Sequence, residues 1–338
     1  MKQLITPGKV WNDTDGKPIQ AHGGSILYHE DTYYLYGENK EKTYAGSGIW
    51  HFGVRCYSSK DLYNWKDEGI ILRPVEDDIM SPLHPKRIID RPHILYNKFT
   101  EKFVMWVKLV GSEKNIDDWS IQFMGIAVSD SIKGPFKLVK TTRPLGMEVG
   151  DFDLYADPRD GKAYFIFGRV HTEIVIADLT DDYMDVTSNY SSHFAQAGPP
   201  TAREAPAFFK KDSNYYMLTS GTTGYIPNPT EVGVAELMHG PWKSLGEPCL
   251  NDVNKNSFDC QFSSVFRHPF KKGLYIAIGD RWMAGDKFES DARKTNTAVA
   301  TYVWLPILFS GDTPHIEWRD EWKIEDFEDK MQEHNVAK

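Results

Sequence analysis

The 338-residue chain is 41% hydrophobic and 13% aromatic, and its 39 Lys and Arg against 48 Asp and Glu give a formal net charge of -9. That length buries a sizeable core, and a moderate acidic balance with no basic stripe argues against a nucleic-acid partner. Cys56, Cys249 and Cys260 make an odd count without metal-finger spacing, which implies neither a disulfide framework nor a cysteine metal site.

The N-terminal stretch MKQLITPGKVWND has no apolar core, so neither a signal peptide nor a membrane span is expected there. The expectation is a cytoplasmic protein if Met1 is the native start, and a periplasmic or secreted one if a leader was removed. Beyond it, one two-part unit is repeated along the chain. Its first part is a hairpin of apolar strand, polar turn and aromatic strand. Copies pair residues 26–28 with 33–36, 94–96 with 103–106, 154–155 with 164–167, 207–209 with 215–218, and 265–266 with 274–277. In the third copy Asp157 to Gly161 is a turn, because Asp160-Gly161 supplies the positive-φ corner that a hairpin needs.

The second part is a strand, a small turn and a strand starting near an aromatic: residues 53–65, 125–136, 174–186 and 232–242. The fifth unit departs from this, running through 297–308 and then 315–324. Hairpin plus hairpin is a four-stranded blade, and five blades set radially close a propeller with protected edges. The prediction is all-β, a five-bladed β-propeller forming one domain over residues 1–338. A β-sandwich suits five paired units poorly, and no short Gly/Asn-rich coil repeat supports a β-helix.

Inner strands of a propeller converge on its axis, so polar residues at their starts face one depression. Asp90, Asp153 and Glu204 each precede such a strand, in equivalent register on different blades. Carboxylates so placed are what glycosidic cleavage requires. Equally, such acids cap loops or pair with arginine, and Arg91 and Arg203 stand beside two of them.

Five segments carry a resemblance: AHGGSILYHEDTYYLYGENK (21–40), DRPHILYNKFTEKFVMWVK (90–108), DLYADPRDGKAYFIF (153–167), REAPAFFKKDSNYYMLTSGTTGY (203–225) and FDCQFSSVF (258–266). The chain resembles glycoside hydrolase family 43, and within it the exo-β-1,3-galactanase branch. The resemblance implies that Glu204, in Arg203-Glu204-Ala205-Pro206, is the general acid, and that Asp153 holds it and raises its pKa. The family's first-blade aspartate base has no counterpart in residues 20–26, QAHGGSI. That absence matches the galactanase-like branch, where a glutamine of the last blade positions the water; the matching residue is Gln261. The branch has Glu-Arg-Pro where this chain has Asp90-Arg91-Pro92, a shortening that leaves room for a pentose. The water's proton acceptor is left open among Glu38, Asp90 and an imidic Gln261.

Further candidates are His22 with Gly23-Gly24 at the pocket floor, Glu38 at a hairpin end, Trp282 as a stacking platform, and Tyr225 and Trp119 in loops that wall a subsite. Each has a plainer reading as core or scaffold. No His-Glu-x-x-His motif or calcium loop appears, so no cofactor is required. The resemblance allows a structural calcium on the propeller axis. The implied reaction is inverting release of terminal β-1,3-linked galactose from galactan or arabinogalactan side chains, with plant-type saccharides as partners. The rivals are an α-L-arabinofuranosidase or β-xylosidase of the same family and, given the absent base, a non-catalytic carbohydrate-binding propeller.

Overall fold

Alternating aromatic and β-branched runs, each bounded by a polar turn, fold into antiparallel hairpins whose inner strands are buried on both faces, while the outermost strands of blades 2, 3 and 4 stay partly exposed. The computed structural model describes residues 2–283 and 296–329. Blade 1 is β1 (His22–His29), β2 (Thr32–Glu38), β3 (Val54–Ser59) and β4 (Lys66–Leu72); blade 2 is β5 (Ile88–Asn97), β6 (Lys102–Val110), β7 (Gln122–Ser129) and β8 (Lys137–Thr142). Blade 3 is β9 (Val149–Ala156), β10 (Ala163–Arg169), β11 (Glu173–Leu179) and β12 (Val186–His193). Blade 4 is β13 (Arg203–Lys211), β14 (Asn214–Gly221), β15 (Glu231–Ala235) and β16 (Lys243–Gly246), and blade 5 is β17 (Gln261–Arg267), β18 (Tyr275–Arg281), β19 (Thr301–Ser310) and β20 (Thr313–Ile316).

Within each sheet the strands lie in chain order, and the first strands β1, β5, β9, β13 and β17 pack in a ring, with β17 against β1. This is the five-bladed propeller expected from the repeat. A separate apolar cluster fills each gap between neighbouring blades. The high aromatic content follows: every sheet is covered on both faces, and a fully buried large side chain contributes about 1.5–3 kcal/mol. The aromatics Trp65, Phe136 and Trp242 each immediately precede the outermost strand of their blade.

The fifth unit is shorter than expected. Residues Thr297–Val299 form a 3-10 turn ahead of β19, and β20 ends at Ile316. The chain then leaves the sheet through partly exposed residues 317–321, and Trp322 turns back into the core, where its indole Nε1 donates to the Trp304 carbonyl at 2.9 Å. There it also bridges to Ile5, clipping the two ends of the chain together. No helix among the described residues is long and apolar enough to cross a membrane.

No blade combines strands from both ends of the chain, so the seam between blades 5 and 1 is held by the Ile5–Trp322 bridge, by isolated backbone bonds such as Gly8 N–H to the Tyr302 carbonyl at 2.7 Å, and by side chains. Asp280 is central: His22 Nδ1–H donates to Oδ1 at 2.8 Å and the Gly23 amide to Oδ2 at 2.9 Å, while the Tyr302 ring stacks on His22 at 4.9 Å. Asp280→Ala orphans two buried donors, each worth about 1–3 kcal/mol. The expected result is an unfolding free energy from urea titration lowered by about 2–6 kcal/mol; an unchanged value removes Asp280 from the seam.

Candidate active site

Two of the acids are aimed by the same backbone device. In blade 2 the β5–β6 register slips between Asp90 and His93, and in blade 4 the β13–β14 register slips between Glu204 and Ala207. Each slip contains a positive-φ residue, Arg91 at 54° and Ala205 at 49°, followed by a proline. Such a bulge re-aims the preceding side chain, and proline brings no amide that would go unpaired. Asp90-Arg91-Pro92 and Glu204-Ala205-Pro206 are therefore one solution used twice.

The starts of β5, β9, β13 and β17, with the end of β2, enclose an axial cavity of about 370 Å³. Glu38, Asp90, Asp151, Glu204 and Gln261 line it, and Trp50, Trp119, Tyr225 and Trp282 supply aromatic walls. Trp50 stacks with Tyr225 at 6.5 Å, and Tyr225 packs against Trp282 at 5.5 Å. The buried Nε1–H of Trp282 has no partner among the described residues.

Two cations knit the acids together. Lys108 Nζ lies 2.9 Å from Asp151 Oδ1 and 3.4 Å from Asp90 Oδ2; Arg91 Nη2 lies 3.1 Å from Asp151 Oδ2 and also donates to Gln261 Oε1. Gln261 Nε2 donates to Ser220 Oγ at 2.8 Å and to Glu204 Oε1 at 3.4 Å. Arginine offers only donors, so the carbonyl of Gln261 must face Arg91 and its amide nitrogen must face Glu204. Trp50 Nε1–H donates to Asp90 Oδ1 at 2.7 Å. Glu38 accepts the bulge amide of Arg91 at 2.9 Å and pairs with Lys40 at 2.8 Å, as a charge contact without hydrogen-bond alignment.

Burial and then the charge of Asp151 raise Glu204 to about 8, against the pull of Lys108 and Arg91. Burial opposes ionisation of Asp151 too, but Arg91 and Lys108 outweigh it and hold that carboxyl well below the usual range. Glu38 is raised by burial and by Asp90 against the pull of Lys40. Glu204 thus keeps its proton near neutrality beside a carboxylate that does not.

Asp153 is not among the residues lining the cavity. The Leu154 and Phe208 amides donate to it at 2.7 and 2.8 Å, His93 Nδ1 lies 3.2 Å away, and burial raises it to about 7. It ties blade 3 to blade 4. Strand β9 starts at Val149, earlier than the sequence suggests, so Asp151, two residues upstream on the same face, occupies the rim. His22 also lies outside the lining residues, in the seam behind Trp282. Gly23 and Gly24 serve strand packing in place of sugar approach: a Cβ would come within 2.6 Å of Glu38 Oε1 at Gly23 and 1.8 Å of the Tyr36 carbonyl at Gly24. Asp90, Glu38, Trp282, Tyr225 and Trp119 do line the cavity.

The sequence reading missed Asp151, Lys108 and Trp50. Lys108 carried a signal, as the one charged residue in the apolar run FVMWVKLV, a position that demands a buried partner. The buried Nε2 of His93 has no hydrogen-bond partner among the described residues. No group of three or more His, Cys, Asp or Glu able to hold a metal occurs among the described residues, so a calcium site of about six to eight oxygens does not fit this set.

Residues 17–295 match the model of glycosyl hydrolases family 43. The chain belongs to that family. Among solved structures it is similar to a family 43 β-1,3-galactosidase at 34% identity and TM-score 0.82, covering 96% of this chain and 65% of that one, just under two thirds of its length. A second family 43 β-1,3-galactosidase, solved with galactodeoxynojirimycin, is similar at 33% identity and TM-score 0.81, covering 94% of this chain and 100% of that one. An exo-β-1,3-galactanase from Clostridium thermocellum is similar at 28% identity and TM-score 0.79, covering 95% and 67%. No curated protein matches the chain.

Proposed function

We propose that this family 43 glycoside hydrolase is an inverting exo-enzyme that removes terminal β-1,3-linked galactose from galactan or arabinogalactan side chains. The observation that carries the reading is that Glu204 and Asp151 line one axial cavity, where burial and the Asp151 charge raise the proton affinity of Glu204 while Arg91 and Lys108 lower that of Asp151. A general acid needs its proton at the working pH, and two carboxyl groups pushed apart in proton affinity are how a site divides such roles. A cavity of about 370 Å³ ringed by all five blades suits a chain end. The choice of galactose rests on the likeness to the β-1,3-galactosidases and galactanases above.

Glu204 protonates the glycosidic oxygen as the bond breaks. Gln261, fixed by Arg91, Ser220 and Glu204, positions the water. Burial and Asp90 give Glu38 a raised proton affinity, so the Glu38–Asp90 pair receives the water's proton. Asp90, locked by Trp50 and Lys108, also reads the hydroxyls of the terminal sugar.

The test is a product screen on β-1,3-galactobiose, arabinogalactan, arabino-oligosaccharides and xylo-oligosaccharides, with proton NMR of the first-formed anomer. Galactose appearing first as the α anomer is the expected result. Release of arabinose or xylose alone, a β anomer formed first, or tight binding without turnover at any pH each rejects it.

A further inference from the structure

A second cavity, of about 360 Å³, lies on the opposite face of the propeller, between the closing turns of blades 3, 4 and 5. Strand direction places it there. Glu204 and Gln261 open β13 and β17 at the catalytic face, whereas Lys210 and Arg267 stand at the far ends of the same strands, about 20 Å away at the rise of a β-strand.

Tyr155, Phe208 and Tyr275 form its walls, with the Tyr155 and Phe208 rings 4.9 Å apart. Its charged lining is three cations, Arg159, Lys210 and Arg267, against two carboxylates, Asp157 and Asp212. Both carboxylates are already taken: Arg159 clasps Asp157 at 2.9 and 2.7 Å, Lys210 approaches it at 3.2 Å, and Lys211 pairs with Asp212 at 2.7 Å. Arg267 has no ion pair among the described residues, and its guanidinium lies 5.9 Å from the Tyr275 ring centre. Arg159 and Arg267 line the same cavity as the Tyr155 ring; burial and Asp157 push the Tyr155 phenol up while both guanidiniums pull against them. That hydroxyl has no protein hydrogen bond among the described residues. In a chain of net charge -9, this is a local excess of positive charge over an aromatic wall.

We propose that this face binds a uronic-acid residue of an acidic saccharide, at a site separate from catalysis. The planar forks of Arg267 and the outer edge of Arg159 match a carboxylate better than a spherical anion. The Tyr155 ring meets the apolar C–H face of the sugar, and its hydroxyl supplies the remaining hydrogen bond. A polymer held at this face presents its chain ends to the same molecule at raised local concentration.

The experiment is calorimetric titration of the whole protein with methyl β-D-glucuronide, alongside methyl β-D-galactoside and sodium acetate. Saturable glucuronide binding, weakened at least about tenfold by Arg267→Ala, is expected. Arg267→Ala is exposed and distant from the acids, so its turnover of β-1,3-galactobiose stays at the parental rate. Acetate binding as tightly as the glucuronide marks a bare anion site and overturns the proposal. So does glucuronide binding that survives Arg267→Ala or is displaced by galactoside, which places the ligand in the catalytic cavity. The readout is affinity, so it stands whatever the product screen returns.

Discussion

Glu204→Gln lowers turnover of β-1,3-galactobiose by about 10²–10⁴-fold, the usual contribution of a general acid, with little change in KM. The amide has the shape of the acid and still accepts from Gln261 Nε2, so the ground-state site persists while the proton delivered in the transition state is lost. The loss depends on the leaving group. A 2,4-dinitrophenyl galactoside departs without protonation, and the variant should cleave it within about tenfold of the parent. A uniform loss on both substrates assigns Glu204 to binding instead. Stability gives a second reading. Glu204 is raised from 4.5 to about 8 on folding, so its contribution is full below 4.5 and is lost as pH rises through 8. Glu204→Gln has no such loss, and its thermal midpoint should gain on the parent at pH 9 relative to pH 4.

The blades were legible because hairpin periodicity is local: each aromatic strand follows its apolar partner within a few residues. Asp90 and Glu204 were legible too, since each stands at the start of an apolar inner strand, whereas the positive-φ bulge that aims them, at Arg91 and Ala205, shows only in the structure. What stayed hidden depends on where a strand begins and on contacts between blades. Asp151 and Asp153 share a face of β9, and only the strand start at Val149 makes the first of them the rim residue. His22 looked like a pocket donor because nothing local reveals Asp280, 258 residues away, which engages it. Trp50 and Lys108 likewise acquire their roles from Asp90 and Asp151, which come from other strands.

The choice between Asp151 and Asp153 has a kinetic signature. Asp151 is the negative charge that acts on Glu204 after burial itself, and its loss also leaves Arg91 and Lys108 free to favour the Glu204 anion. In Asp151→Asn the acid therefore gives up its proton earlier, and the basic limb of kcat/KM, expected near pH 8 in the parent from the raised Glu204, moves at least about one unit toward acid, as removal of a close like charge predicts. With a shift of about two units, the protonated fraction at pH 7 drops about tenfold, while activity at pH 5 suffers far less. Two buried cations lose a partner, so stability falls as well, and rates must be scaled to folded protein. Asp153→Asn is the companion. It breaks the tie to the Phe208 amide and lowers the melting temperature, yet it removes no charge that acts on Glu204, so the limb stays near pH 8. A limb that moves in Asp153→Asn and stays in Asp151→Asn returns the tuning role to Asp153.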